Sequence, residues 1–170
     1  MFMRRFRGES LHKVDSKGRV SIPAQFRRVL EEGDPDFKSG INPSCVLVHN
    51  QKIKRCLEGY SISSINEVDD LVSELPRYSR EREILERMLN AQSSYAQIDD
   101  NGRLVLSFKL RNLIDVDTEA IFIGMGDKFQ VWEPSAYYED MEQINREFDL
   151  YENENNPFNL LHSTGSLAKQ

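Results

Sequence analysis

The chain has 170 residues, 39% of them hydrophobic and 29% charged, with a net charge of −6, which fits one globular domain or two small modules sharing a core and excludes a fibrous or disordered chain. Its most apolar runs, such as "AIFIGM", are far too short to span a bilayer, and the basic start "MFMRRFRGES" lacks the apolar stretch and cleavage site of a secretory signal. Two cysteines, Cys45 and Cys56, are too few for a disulfide framework, so the expected setting is a reducing cytoplasm.

In chain order the first feature is a basic arm. Residues 1–30 hold Arg4, Arg5, Arg7, Lys13, Lys17, Arg19, Arg27 and Arg28 against only Glu9 and Asp15, so the segment carries +6 and the other 140 residues −12. Such asymmetry suits a localised anion-binding surface on an acidic body. A basic arm without a partner would look the same, and charge alone leaves both readings open.

Next comes "VDSKGRVSIPAQFRRVL", Val14 to Leu30. "DSKG" suits a type I turn closed by a left-handed Gly, "RVSI" a half-buried strand, and Pro23 the first turn of a helix. Phe26, Val29 and Leu30 share one face of that helix. "CVLVH" reads as a further strand, and a helix is expected over roughly Gln51 to Tyr60. "SREREILERMLNA" reads as a helix capped by Ser79, with Ile84, Leu85, Met88 and Leu89 at helical spacing and Met88 as core filler.

The text of Val14–Leu30 then returns as "IDDNGRLVLSFKLRNLI", Ile98 to Ile114. With an offset of 84 and no gap, Asp15, Gly18, Arg19 and Arg27 meet Asp99, Gly102, Arg103 and Arg111, and six apolar positions match. This is an internal duplication. In the second copy Ser107 replaces Pro23 and is expected to cap the helix, whose apolar face holds Leu110, Leu113 and Ile114. "AIFIGMGDKFQVWEP" reads as a Gly-containing hairpin, with "KFQVWE" loosely matching "CVLVH", and a helix follows over roughly Ser135 to Tyr151. The tail from Asn153 is polar and weakly patterned. One hairpin with one helix cannot bury a core, so the two copies are expected to interleave in a pseudo-two-fold α/β module of mostly antiparallel strands.

In each copy an Asp stands four residues before an Arg, opposite it across the hairpin mouth. As a structural pair the two stabilise by about 0.2–1 kcal/mol, and the Asp also caps turn amides. That accounts for the aspartates; the arginines raise a second reading, because Lys would serve a surface pair equally. Arg offers the rigid fork that reads guanine O6 and N7 in a major groove, and Asp would hold it at a fixed angle. Lys13, Lys17 and Arg7 surround Arg19. The second copy is poorer, with Asp100 for Ser16 and Asn101 for Lys17.

Catalytic patterns are weak. Asp69-Asp70 and Asp99-Asp100 are sequence neighbours, whose side chains ordinarily diverge, and no P-loop, GxSxG or HExxH is present. Cys45 and His49 make only half a zinc site. The chain is therefore expected to be no enzyme and to need no metal or cofactor. Trp132 and Tyr137-Tyr138 suit core or interface packing.

The paired D-x-x-G-R hairpins, the start "FRGESLHKVDSKGRVSIPAQFR" and "GMGDKFQVWEP" before the last helix resemble the MraZ family of bacterial regulators from about Met3 to Tyr151. The broader relatives are the AbrB-like swapped-hairpin DNA-binding proteins. The resemblance implies a pseudo-two-fold double-psi, swapped-hairpin β-barrel of two tandem AbrB-like repeats with flanking helices. The first repeat would span 1–65, a helical connector 66–94, the second repeat 95–152 and a loose tail 153–170. It also implies a transcriptional regulator of its own division and cell-wall operon that binds short G-rich direct repeats, associates with the nucleoid and forms a closed homo-oligomeric ring. Carried over by motif, Asp15 with Arg19 and Asp99 with Arg103 are the DNA-binding pairs; Arg7, Lys13 and Lys17 join them from the charge reading. The implied partners are double-stranded DNA and further copies of the chain, with no membrane and no small-molecule substrate. The alternative is a ring-forming protein adaptor that uses the acidic body and has no DNA role. Met1 and Phe2 precede the family's usual start, which makes Met3 a candidate initiator. The family's aromatic after the first-half strand is absent from "VLVHNQKIK".

Overall fold

In the computed structural model the described residues are 4–38, 40–49, 55–151 and 156–161. The chain divides into two compact units, residues 1–134 and 135–170. The first opens with β1 (Glu9–Lys13), β2 (Arg19–Ser21), α1 (Ala24–Glu32), β3 (Ser44–Val48), β4 (Leu57–Ser61) and α2 (Ile62–Ser73). It continues with α3 (Arg80–Leu85), which passes into a π-helical stretch over Glu86–Ala91, then β5 (Ser93–Gln97), β6 (Arg103–Val105), α4 (Phe108–Leu113), β7 (Glu119–Gly124) and β8 (Lys128–Trp132). The second unit is mainly α5 (Pro134–Leu150), followed by a 3-10 turn at Pro157–Asn159. The mixed, mostly antiparallel α/β class is as the sequence reads.

Six strands form one antiparallel sheet in the order β1-β7-β8-β4-β3-β5, and β2 pairs with β6 in a separate two-stranded ribbon. Exchanging β1–β4 for β5–β8 reverses the six-stranded order without changing it. The sheet is thus pseudo-two-fold, and β1 and β5 each pair with a strand of the other copy. The axis passes between Glu58 and Gln130, which are register partners at the centre. Gln130 Nε2 donates to Glu58 Oε2 at 3.2 Å, Trp132 Nε1 donates to Gln130 Oε1 at 2.9 Å, and Lys128 Nζ lies 2.6 Å from Glu58 Oε2. Buried polar groups are tolerated there because each has a partner.

Alternate residues of β3 serve two cores, as a pleat with period two requires. Cys45 and Leu47 join the main core, which also holds Val20, Leu30, Leu104, Leu106 and four phenylalanines. Phe6, Phe26, Phe122 and Phe129 pack with ring centroids 5.2–6.5 Å apart. Gly59 lets Phe129 lie on the backbone of β4, since a Cβ there would meet the ring at 2.1 Å. Val46 and Val48 face the other way, with Tyr60 and Ile65, and Leu89 packs beside them.

Three sequence expectations need correction. Of the helix expected over Gln51–Tyr60, residues 51–54 lie outside the described residues, and the C-terminal part is the central strand β4, buried throughout. The helix begins later, at Ile62, where the Ser61 hydroxyl accepts from the Ser64 amide at 3.2 Å. Burial on both faces and the required Gly59 override the helical spacing. The counterpart of "CVLVH" is β7 rather than "KFQVWE", because the two-fold relates β3 to β7 and β4 to β8. Met88 is half-buried instead of core, and no residue of α3 or the π-helical stretch is fully buried. Ser79 and Ser107 do cap their helices, accepting from the Arg82 and Leu110 amides. Met1–Met3, most of the tail from Asn153 and His162 lie outside the described residues.

Candidate nucleic-acid interface

Both hairpin turns are built alike. The Gly18 amide donates to the Asp15 carbonyl at 2.9 Å and the Gly102 amide to the Asp99 carbonyl at 3.0 Å, with the glycines at φ +79° and +72°. The positive φ is the left-handed conformation this turn demands, and Gly adopts it without steric cost. Each Asp then fixes its turn and its Arg together. Asp15 Oδ1 accepts from the amides of Lys17 at 3.0 Å and Arg19 at 2.9 Å, while Oδ2 accepts from Arg19 Nε at 2.6 Å. Asp99 does the same for Asn101, Arg103 and Arg103 Nε, each at 2.9 Å.

These bonds hold both carboxyls below the ordinary 3.8. For Asp15 the largest influence is the Arg19 amide, with the guanidinium adding to it. For Asp99 the largest is burial, which pushes upward, and the Arg103 amide and guanidinium outweigh it. Stabilising the charged form by donors is the expected cause of such a depression. Nε is engaged in both, and among the described residues the terminal nitrogens of neither guanidinium have a hydrogen-bond partner.

The hairpins also interlock. Leu106 N donates to Gly18 O at 2.7 Å and Ile22 N to Gly102 O at 3.1 Å, so each turn is tied to the strand end of the other copy. Between them β2 and β6 align Arg19 with Val105, Val20 with Leu104 and Ser21 with Arg103. Val20 and Leu104 are buried. Strand alternation therefore sets Arg19, Ser21, Arg103 and Val105 on the opposite face. Both arginines thus stand on one side of one two-stranded ribbon, their Cα atoms about 8 Å apart by strand spacing and rise. The sequence reading treats them as two separate hairpin tips. It misses the shared ribbon because pairing between distant copies leaves no local signal.

The remaining singled-out residues lie as follows. Lys17 is exposed at the first turn, and Lys13 is exposed at the end of β1, opposite Glu119 in register. Arg7 sits apart from the ribbon, on the segment beside the β7–β8 turn, where it lines a cleft with other arginines. At the second turn Asp100 accepts from Asn42 Nδ2 at 2.6 Å.

Elsewhere the chemistry is thin. Asp99 is committed to its turn. Asp69 Oδ1 is buried without a hydrogen-bond partner among the described residues, and burial followed by the charge of Asp70 raises its pKa. Burial pushes the Cys45 thiol up to about 12, and neither cysteine is in a disulfide. Among the described residues no group of three His, Cys, Asp or Glu side chains could hold a metal, and no helix is long and apolar enough to cross a membrane.

Comparison with known proteins gives a consistent picture. A family profile described as "MraZ protein, putative antitoxin-like" matches residues 5–64 and 89–159. A protein of Ruegeria sp. (strain TM1040) named transcriptional regulator MraZ is 49% identical over 163 residues, covering 95% of this chain and 98% of its own length. One of the same name from Ruegeria pomeroyi is 54% identical over 141 residues, 83% of each chain. Another, from Cereibacter sphaeroides, is 40% identical over 139 residues, 78% of this chain and 82% of the relative.

Proposed function

The chain belongs to the MraZ family, and on that premise we propose that it regulates transcription by binding duplex DNA through the β2–β6 ribbon. The observation that carries this reading is the pair Arg19 and Arg103, on one ribbon face and each locked through Nε by its own Asp. A two-stranded ribbon fits a major groove, and an Arg fork reads guanine O6 and N7. The roughly 8 Å between the two Cα atoms corresponds to two or three base-pair steps at 3.4 Å each, which suits a short G-rich site. Lys13 and Lys17 would contact phosphates beside it. Preorganisation by Asp15 and Asp99 limits the entropy lost when the forks engage.

The resemblance supplies the finer picture. The tandem repeats, 1–65 and 95–152, would close as the swapped-hairpin barrel, and several copies would form a ring. One ribbon spans only a few base pairs, so a single chain should bind feebly. A ring presenting several ribbons to spaced direct repeats would raise avidity by about 10² to 10⁴. The target would be the DNA upstream of its own division and cell-wall operon, with the protein associated with the nucleoid.

The test is a mobility-shift titration on the DNA upstream of the protein's own gene, beside a scrambled duplex and at two salt concentrations. Discrete shifts that weaken with salt yet survive scrambled competitor are expected. Equal binding to both duplexes, or none, would refute the reading and favour the protein adaptor suggested by the −12 body.

A further inference from the structure

The N-terminal segment is anchored to the β7–β8 turn by backbone hydrogen bonds. Phe6 N donates to Gly126 O at 2.8 Å, Gly126 N to Phe6 O at 2.9 Å, and Gly124 N to Gly8 O at 2.7 Å. The Phe6 ring is buried against Phe26 and Phe129. In an extended segment an inward Phe6 sends its neighbours Arg5 and Arg7 outward together. On α1, Gln25 and Arg28 lie three apart and share a face. These residues, with Arg4 and Val29, line a cleft of about 370 Å³.

Four arginines around one cleft repel one another unless an anion joins them. Arg4 has a protein partner, with Nη1 3.0 Å from Glu32 Oε1. Arg5, Arg7 and Arg28 have no ion pair among the described residues, and all three are exposed. The nearby carboxylates Glu32, Glu67 and Asp127 line a separate depression that shares Arg4 and Arg5; of them Glu32 reaches Arg4 and none reaches Arg5, Arg7 or Arg28. The cleft is therefore a cationic site between the anchored N-terminal segment and α1. Arginine forks match the paired oxygens of a phosphate.

We propose that this cleft binds phosphate groups of the DNA backbone, as a second contact beside the β2–β6 ribbon. The inference rests on the DNA-binding reading and adds a site to it. Chain geometry keeps the two together. An extended run from Arg19 to Pro23 spans at most about 14 Å and the helical run to Arg28 about 7.5 Å, so the Cα atoms of Arg19 and Arg28 are within about 22 Å, or six to seven base-pair steps. Backbone contacts at that distance fix register and strengthen binding without choosing bases.

The test compares the full-length protein with an Arg5→Gln, Arg28→Gln double variant on the upstream and scrambled duplexes across a salt series. Losing two phosphate contacts should lower the slope of log K against log salt by about 1.8, so that a fourfold rise in salt costs the wild type about twelvefold more affinity than the variant. The ratio of upstream to scrambled affinity should stay unchanged, and an Arg5→Lys, Arg28→Lys protein should recover most of the slope. A folded double variant with the wild-type slope would overturn the cleft while leaving the ribbon standing. Should inorganic pyrophosphate raise the melting temperature of the wild type alone while the slopes remain equal, the ligand is a free phosphate compound and the DNA assignment falls. A wild type that binds neither duplex would overturn both the cleft and the ribbon.

Discussion

The two hairpins share a backbone and differ in almost everything around it. Their turn bonds match within a few tenths of an ångström, and the aspartate grips its arginine through Nε in both. Their surroundings have diverged. Between residues 13 and 19 the first copy has three basic residues and one acidic; between 97 and 103 the second has one basic and two acidic. The second tip is also held by Asn42 through Asp100, while Lys17 of the first tip is exposed and has no ion pair among the described residues. Duplication kept the device that aims an arginine and released the charge around it. On the proposed DNA-binding reading, the first copy would supply more of the electrostatics and the second mainly a positioned arginine.

The largest test of that comparison concerns the glycines beneath the tips. A Cβ at Gly18 would meet the Leu106 carbonyl oxygen at 2.0 Å, whereas one at Gly102 would meet only the end of Arg27 at 3.4 Å. Arg111 adds to the difference. Its Nε donates to Leu106 O at 3.1 Å and closes over the first turn, but Arg27 Nε is held by Glu31 at 3.1 Å on its own helix. Gly18→Ala is expected to destabilise by about 3 kcal/mol or more, from strain at positive φ plus a clash with backbone. Gly102→Ala should cost about 1 kcal/mol, from φ alone. Denaturant unfolding of the two variants measures the difference; equal losses would mean that the turns are equivalent.

Next in size are the arginines. Arg19→Ala and Arg103→Ala should each lose about 1–3 kcal/mol of discrimination against a substituted guanine, at different positions of the site. Affinity for scrambled DNA should fall more for Arg19→Ala, because its neighbours Lys13 and Lys17 place it nearer the phosphates. Titrations on duplexes with single guanine substitutions would show this. Identical profiles for the two variants would deny them separate bases.

How far these features could be read from sequence follows from the range of the forces that make them. The turns, the Asp–Arg pairs and the Ser79 and Ser107 caps rest on contacts within four residues, and each is legible in the residue order. The ribbon is not, since Val20 meets Leu104 across 84 positions. Strand β4 was hidden for another reason. "LEGYS" has no alternation, because both its faces are covered, and a fully buried strand lacks the period that marks a half-buried one. The cleft was visible only in part. The arginines stand out as charge, but their convergence depends on Phe6 entering the core and on α1 lying alongside.

A smaller effect comes from exchanging the tip charges. Lys17→Asn should lower the salt slope by about one and Asn101→Lys should raise it by about one, each leaving base preference intact. A response to Lys17→Asn alone would show that the second tip stays away from the duplex and that the copies divide the work strictly.

The smallest effect is the response to acid, and it tests the two aspartates side by side. Both carboxyls lie below 3.8 in the folded protein. A depressed pKa means that the contribution to stability is present above the unfolded value and lost as pH falls through the folded one. Near neutrality both pairs are therefore intact, and they fail only below about pH 3.8. Because the side chains of Asp15 and Arg19 are 38% and 37% exposed, solvent screens most of that contribution. The balance differs between copies: the Arg19 amide leads at Asp15, but burial leads at Asp99 and opposes the bonds. Asp15→Asn and Asp99→Asn should each remove part of the acid sensitivity, since Asn keeps an acceptor for the turn amides and removes the titrating charge. Melting temperatures from pH 6 to pH 2 for the wild type and both variants measure it. An unchanged acid response in either variant would mean that the charge of that aspartate does not hold its arginine.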